Sequence, residues 1–233
     1  MNLISKINGI TVGIRYQRSF RIPDIAGDIV DDILHDLESP FTEKLFTAVQ
    51  ETANRERTLF NNVTNEYLRI NTDDLILGIK VTENFPKKFG WIKKDVLGYF
   101  QEILFKRYKI KNIQRTGIIF HHKIERKKSL EHIVSTLSTG EITKEVDNIS
   151  ISFGKKLPAK EALYRKNVED YKNTIYNLLE FKKHLYADFD FQYYYNPELP
   201  DLRMGFTEKI CDDALDYLKN HFHPWVSTYA TED

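Results

Sequence analysis

The run Leu185 to Tyr195 constrains the fold more than any other stretch of this chain. In Asp188-Phe189-Asp190-Phe191-Gln192-Tyr193-Tyr194-Tyr195, polar and aromatic side chains alternate. An extended backbone places Asp188, Asp190 and Gln192 on one face and Phe189, Phe191, Tyr193 and Tyr195 on the other. Two further segments have the same period. Val12, Ile14 and Tyr16 alternate with Gly13, Arg15 and Gln17, and Ile118, Phe120, His122 and Ile124 alternate with Gly117, Ile119, His121 and Lys123. Strands of this kind belong to an antiparallel sheet with one face packed and the other wet.

Helical periods supply the packing partners. Ile25, Ile29, Val30, Ile33, Leu34 and Leu37 form one stripe of a 3.6-residue helix, with Asp28, Asp31, Asp32 and Asp36 opposite. Pro23-Asp24 marks its start, with Asp24 as N-cap, and Ser39-Pro40 its end. Residues 91–108 read as a second helix and 207–222 as a third, which Pro224 should stop or kink. Leu59 to Ile70 and Leu75 to Val81 read as a hairpin turned by Asn71-Thr72-Asp73-Asp74. The polar stretch 42–58 reads as partly helical. A short helix follows over 130–137, before the Ser138-Thr139-Gly140 breaker. Strands are expected over 146–153, 174–181 and 185–195, and 158–172 fits no period.

The expected class is therefore α+β, an antiparallel sheet covered by amphipathic helices. The first half follows β-α-β-β-α-β, the ferredoxin-like order, and the second β-β-β-α. The 233 residues suit a single domain, or two closely packed subdomains spanning 1–125 and 126–233. No sequence repeat is evident. No apolar run reaches the roughly 18 residues of a membrane span. The N-terminus lacks a secretion pattern, and one cysteine, Cys211, permits no internal disulfide. A cytoplasmic protein without a membrane partner is expected.

The formal net charge of zero hides a segregation of sign. Between Lys87 and Lys128 there are 13 Lys or Arg against three acids, whereas 24–56 and 186–233 are each acidic by about seven charges. A basic face attracts polyanions whatever the net charge. Lys106, Arg107, Lys109, Lys111, Arg115, Arg126, Lys127 and Lys128 are the candidate polyanion-binding residues, with a nucleic acid or an acidic protein as partner. Complementary charge blocks also suggest a homo-oligomer.

Signals for catalysis are sparse. Asp188 and Asp190 lie about 6.5–7 Å apart along a strand and could hold Mg²⁺ or divide acid and base roles. Asp188, Asp190 and His122 are the catalytic candidates. Adjacent His121 and His122 point to opposite faces, so they cannot share a metal, and His122 falls on the apolar side with Phe120 and Ile124. His221 and His223 diverge on a helix unless the chain leaves it before Pro224. Cys211 reads as a buried, inert thiol. Nucleophile elbows, phosphate-cradling glycine loops and His-Glu-x-x-His are absent from the sequence. No cofactor and no metal site is expected.

Tyr67-Leu68-Arg69-Ile70, Leu75-Ile76-Leu77-Gly78-Ile79-Lys80-Val81, the helix after them and Ile113-Gln114-Arg115-Thr116-Gly117-Ile118-Ile119-Phe120 resemble an uncharacterised, sporadically distributed prokaryotic family of about this chain length. The closing strand with its Asp-x-Asp and the last helix are similar to that family's end. Phe120-His121-His122 stands where the family has an Arg-Tyr-Ile-Asn-like run. The resemblance implies a compact α+β fold and a microbial cytoplasmic setting, without a known activity. The function expected is a non-enzymatic binding or assembly module with a basic central region. The alternatives are a metal-dependent hydrolase or nuclease using Asp188 and Asp190, and a homo-oligomeric structural protein.

Overall fold

The computed structural model describes residues 2–41, 45–52, 56–82, 84–126, 129–131, 149–158, 168–201 and 204–229. Its strands are β1 (Ile7–Tyr16), β2 (Ala48–Glu51), β3 (Arg57–Phe60), β4 (Tyr67–Ile70), β5 (Asp74–Lys80), β6 (Ile113–Glu125), β7 (Ile149–Pro158), β8 (Tyr171–Phe181) and β9 (His184–Leu199). Helix α1 is Ile22–His35, α2 covers 85–107 and α3 covers 204–226. All nine strands join one antiparallel sheet in the order β2-β3-β4-β5-β1-β6-β9-β8-β7.

That order has an internal two-fold relation which the sequence conceals. β1 and β6 lie side by side at the centre, and Gly13 faces Gly117 across them. On one side β5, β4, β3 and β2 run outward from β1. On the other, β9, β8 and β7 run outward from β6. In each half the first strand is central, the last pairs with it, and a helix follows: α2 after β5, α3 after β9.

The helices share one face of the sheet. Ile10, Val12, Ile14 and Tyr16 of β1 are completely buried there, as are Ile118, Phe120 and Ile124 of β6 and Phe189 and Phe191 of β9. Phe85 and Phe89 of α2 lie 5.9 and 5.5 Å from the Phe120 ring, and Phe222 of α3 lies 5.3 Å from Phe189. At about 25 cal/mol per Å² of apolar surface removed from water, such side chains dominate the stability. Tyr99 and Tyr108 tie α2 to α1, their hydroxyls donating to Asp32 backbone and carboxylate oxygens at 3.0 and 2.6 Å.

Several sequence expectations give way here. The first half runs β-α-β-β-β-β-α before β6, with two more strands than the ferredoxin-like order. The polar stretch read as partly helical contains β2. The single strand expected over 59–70 is two, because Asn61 Oδ1 accepts from the Val63 and Thr64 N–H groups (2.9 and 3.2 Å) and Asn65 adopts φ 61°. That Asx-type turn reverses the chain inside an otherwise strand-like composition. Helix α1 starts before Asp24, at Ile22, with Pro23 in its first turn. Helix α2 starts at Phe85, where Asn84 Oδ1 accepts from the Lys87 N–H at 3.2 Å. Pro224 does not end α3. Wide π-type turns over Leu218–Phe222 precede it and accommodate its ring and missing N–H. The short helix expected over 130–137 lies mostly outside the described residues.

Candidate functional site

No described helix covers the other face of the sheet, and its residues follow from the register. One row runs Tyr67, Gly78, Thr11, Ile119, Asp190, Ile175. The next runs Arg69, Ile76, Gly13, Gly117, Gln192, Asn173, Lys156. A third contains Asp74, Arg15, Arg115, Tyr194 and Tyr171. A fourth contains Lys80, Gly9, His121, Asp188 and Asn177. Among the described residues, six cations project from this face, Arg15, Arg69, Lys80, Arg115, Lys123 and Lys156, and four carboxylates accompany them, Asp74, Glu125, Asp188 and Asp190.

Its centre is a depression of about 90 Å³ floored by Gly13 and Gly117 and bordered by Thr11, Arg15, Arg115, Asp190 and Gln192. Glycine inside a strand costs stability and marks a place where something approaches the backbone closely. Arg15 and Arg115 also border a wider cleft of about 850 Å³ that continues past Tyr171, Tyr194 and Asn196. The depression and the cleft therefore share Arg15 and Arg115 as a common border.

Hydrogen bonds organise the polar side chains. An Arg115 N–H donates to the Tyr194 oxygen at 3.1 Å, the Tyr194 hydroxyl donates to Gln192 Oε1 at 2.9 Å, and Gln192 Nε2 donates to Asp190 Oδ2 at 2.6 Å. Burial raises the Asp190 carboxyl above its ordinary pKa, opposed by the Gln192 hydrogen bond and by Arg115. His121 bridges Asp188, at 2.8 Å from Nδ1, and the Thr11 hydroxyl, at 2.9 Å from Nε2.

Aromatic side chains flank the centre. The Tyr67 ring lies across Gly78, where a Cβ would fall 2.3 Å from it. Tyr171 stacks on Tyr194 at 4.5 Å, with Lys156 Nζ 3.9 Å from the Tyr171 ring and the Arg115 guanidinium 5.6 Å from that of Tyr194. Tyr67 pairs with Gly78 on β5 and Tyr171 with Tyr194 on β9, so the two tyrosines occupy equivalent positions about the Gly13–Gly117 centre. Across the sheet five strand spacings separate them, roughly 24 Å, and along it their rows lie four residues apart.

The basic residues singled out from the sequence do not form one field. Of the described ones, only Arg115 lies on the open face. Lys106 pairs with Glu102 on α2, and Arg107 pairs with Asp32 at 3.0 Å and Asp36 at 3.1 Å of the acidic helix α1. Lys109 and Lys111 are exposed in the link from α2 to β6. Arg126 pairs with Glu180. Lys127 and Lys128 lie outside the described residues. Arg107 is thus neutralised by the acidic block on α1, and Lys106 and Arg126 by carboxylates outside the acidic blocks.

Asp188 and Asp190 share the open face, as the alternation requires, but His122 does not join them. Its Nδ1 donates to the Ala187 carbonyl at 3.0 Å, and its Nε2 is 3.1 Å from His223 Nε2 on the helical side. The histidine beside the carboxylates is His121. Among the described residues, no group of three or more His, Cys, Asp or Glu is placed to hold a metal ion. Cys211 is buried, and burial pushes its thiol up to about 12. Thr11, Tyr171 and Lys156 carried no sequence signal of their own, and Tyr67 entered only through the family resemblance. Glycines inside two alternating strands were the legible hint of the depression.

No described helix is long and apolar enough to cross a membrane. No protein-family model matches the chain, and no curated protein matches it. Among solved structures, the chain is similar to one described as Methanococcus jannaschii TBP, with a TM-score of 0.28 and 10% identity over 91% of this chain and 98% of that one. A likeness at that level decides nothing about what this chain does.

Proposed function

We propose that the open face of the sheet binds nucleic acid across the Gly13–Gly117 depression. The observation that carries this reading is the equivalent placement of Tyr67 and Tyr171 on either side of a side-chain-free floor that Arg15 and Arg115 border. Arg15, Arg69, Lys80, Arg115, Lys123 and Lys156 would neutralise phosphates, and a glycine floor lets a sugar–phosphate backbone approach the sheet closely. Amide and hydroxyl groups of Gln192, Asn173 and Tyr194 offer donors and acceptors that a purely electrostatic surface lacks.

The test is retention of single- and double-stranded DNA and RNA by the full chain over a salt series. Six phosphate contacts give a slope of log K against log salt of about −4 to −5. Arg115→Ala and Lys156→Ala should each reduce it by about one and weaken binding to all sequences. Absence of retention of any of these nucleic acids at about 50 mM salt overturns the reading.

A further inference from the structure

We propose that Thr11, His121 and Asp188 form a hydroxyl–imidazole–carboxylate relay that takes an acyl group from an activated carboxylic ester or thioester onto Thr11 Oγ1. The three residues come from the adjacent strands β1, β6 and β9: His121 lies directly opposite Asp188, and Thr11 lies diagonally, two residues along β1 from the Gly9 that faces His121. Oγ1 is 2.9 Å from His121 Nε2, and Nδ1 is 2.8 Å from Asp188 Oδ1. A carboxylate only accepts, so in the neutral imidazole Nδ1–H donates to Asp188 and Nε2 is left to accept the Thr11 proton. Nucleophile, base and base-orienting carboxylate are recognised by this geometry, not by chain order.

The surroundings are those of a site rather than a packed cross-strand contact. The His121 and Asp188 side chains are 33% and 38% exposed, so solvent and substrate reach them. On its other side the imidazole is backed by Gly9, where a Cβ would fall 3.3 Å from His121 Cδ2. Thr11 borders the depression over Gly13 and Gly117, which leaves room for a small acyl group. Arg15 and Arg115 border it too and suit an acyl carrier with a phosphate or carboxylate. β1 is paired along both edges, so its backbone N–H groups serve the ladders and cannot converge on an oxyanion. The relay is therefore suited to acyl groups with good leaving groups rather than to amides.

In the first step a Thr11 Oγ1 lone pair forms the bond to the acyl carbon while the hydroxyl proton passes to His121 Nε2. The tetrahedral adduct then collapses and expels the alcohol or thiol, which takes that proton from Nε2. Water attacks the acyl-threonine by the same proton path and releases the carboxylic acid. Asp188 acts as a positioning residue by holding the tautomer.

The experiment treats the full chain with p-nitrophenyl acetate and follows p-nitrophenolate release, together with mass spectrometry of the peptide containing Thr11. A burst of about one equivalent and one acetyl group on Thr11 are expected. Thr11→Ala and His121→Ala should abolish the adduct, Thr11→Ser should keep it, and Asp188→Asn should slow acylation by roughly 10²-fold or more. Unfolding midpoints of the variants separate lost chemistry from lost structure. Acetylation confined to lysines, equal reaction of Thr11→Ala, or no adduct overturns the proposal. None of these readouts depends on nucleic-acid binding, so the two readings stand or fall separately.

Discussion

His122 and His223 face each other with their Nε2 atoms 3.1 Å apart, which leaves room for one proton between them. The His122 Nδ1–H is used by the Ala187 carbonyl, so His223 donates and His122 accepts. Burial, and then His223, lowers the His122 pKa from 6.5 to about 3; burial, and then Lys219, lowers that of His223 to about 4. Both histidines therefore stay neutral in the fold while the unfolded chain protonates them. Their contribution to stability is complete above pH 6.5 and is lost as pH falls toward 4 and 3. His122 adds about 1.4 kcal/mol per pH unit over that window, and half-exposed His223 adds less. Urea unfolding at pH 7.5, 6 and 5 should show the fall, and His122→Leu should flatten it by about one proton while lowering stability at pH 7.5.

Asp190 has the opposite sign. Its carboxyl is raised by burial, so stability falls as pH rises from the ordinary carboxyl value of 3.8 to the higher folded pKa, and the loss is complete above it. Asp190→Asn is expected to stabilise the protein at pH 7 by roughly 0.5–2 kcal/mol, with the gain disappearing in acid. The same variant removes a like charge from the proposed phosphate path, so nucleic-acid retention should rise. Thermal unfolding at pH 7 and 4 and a binding titration check the two halves independently.

Tyr67 and Gly78 form a pair in which one residue makes room for the other. Gly78→Ala places a methyl group into the ring position, and Tyr67 must swing off the sheet. The expected cost is about 1–3 kcal/mol. In a Tyr67→Ala background that cost should largely vanish, so a double-mutant cycle in urea should show a coupling of at least about 0.5 kcal/mol.

Gly13 and Gly117 separate function from stability. A Cβ at Gly117 would have its nearest neighbours at 3.6 Å, and one at Gly13 at 4.0 Å, both ordinary contacts. Gly117→Val therefore suits the sheet, and its unfolding midpoint should match or exceed that of the native chain. Its branched side chain fills the depression, and nucleic-acid affinity should drop by roughly tenfold, about 1.4 kcal/mol. Unchanged affinity would count against the depression as the binding surface.

Much of the local structure is legible in the chain. The two-residue alternation in β1, β6 and β9 assigned each side chain to a face, and with it the separation of Asp188 and Asp190 from the aromatic core. The Asp-rich helix α1 follows from its apolar stripe. The Asx turn at Asn61 was harder, because this residue ends a strand only where its carboxamide finds the next N–H groups. The charge blocks misled for a related reason. A run of lysines and arginines has no direction until α2 lays Arg107 against Asp32 and Asp36.

For β1, β6, β9 and α1 the sequence alone determined the element and which of its faces is apolar, because both periods are properties of one short segment. Only the tertiary structure decided which strands lie side by side. Pairing β1 with β6 across a hundred residues brings Gly13 to Gly117, Arg15 to Arg115 and Thr11 to His121, and pairing β6 with β9 brings Asp188 to His121. Such pairings depend on backbone hydrogen bonds and buried area shared by distant segments, and no local spacing encodes them.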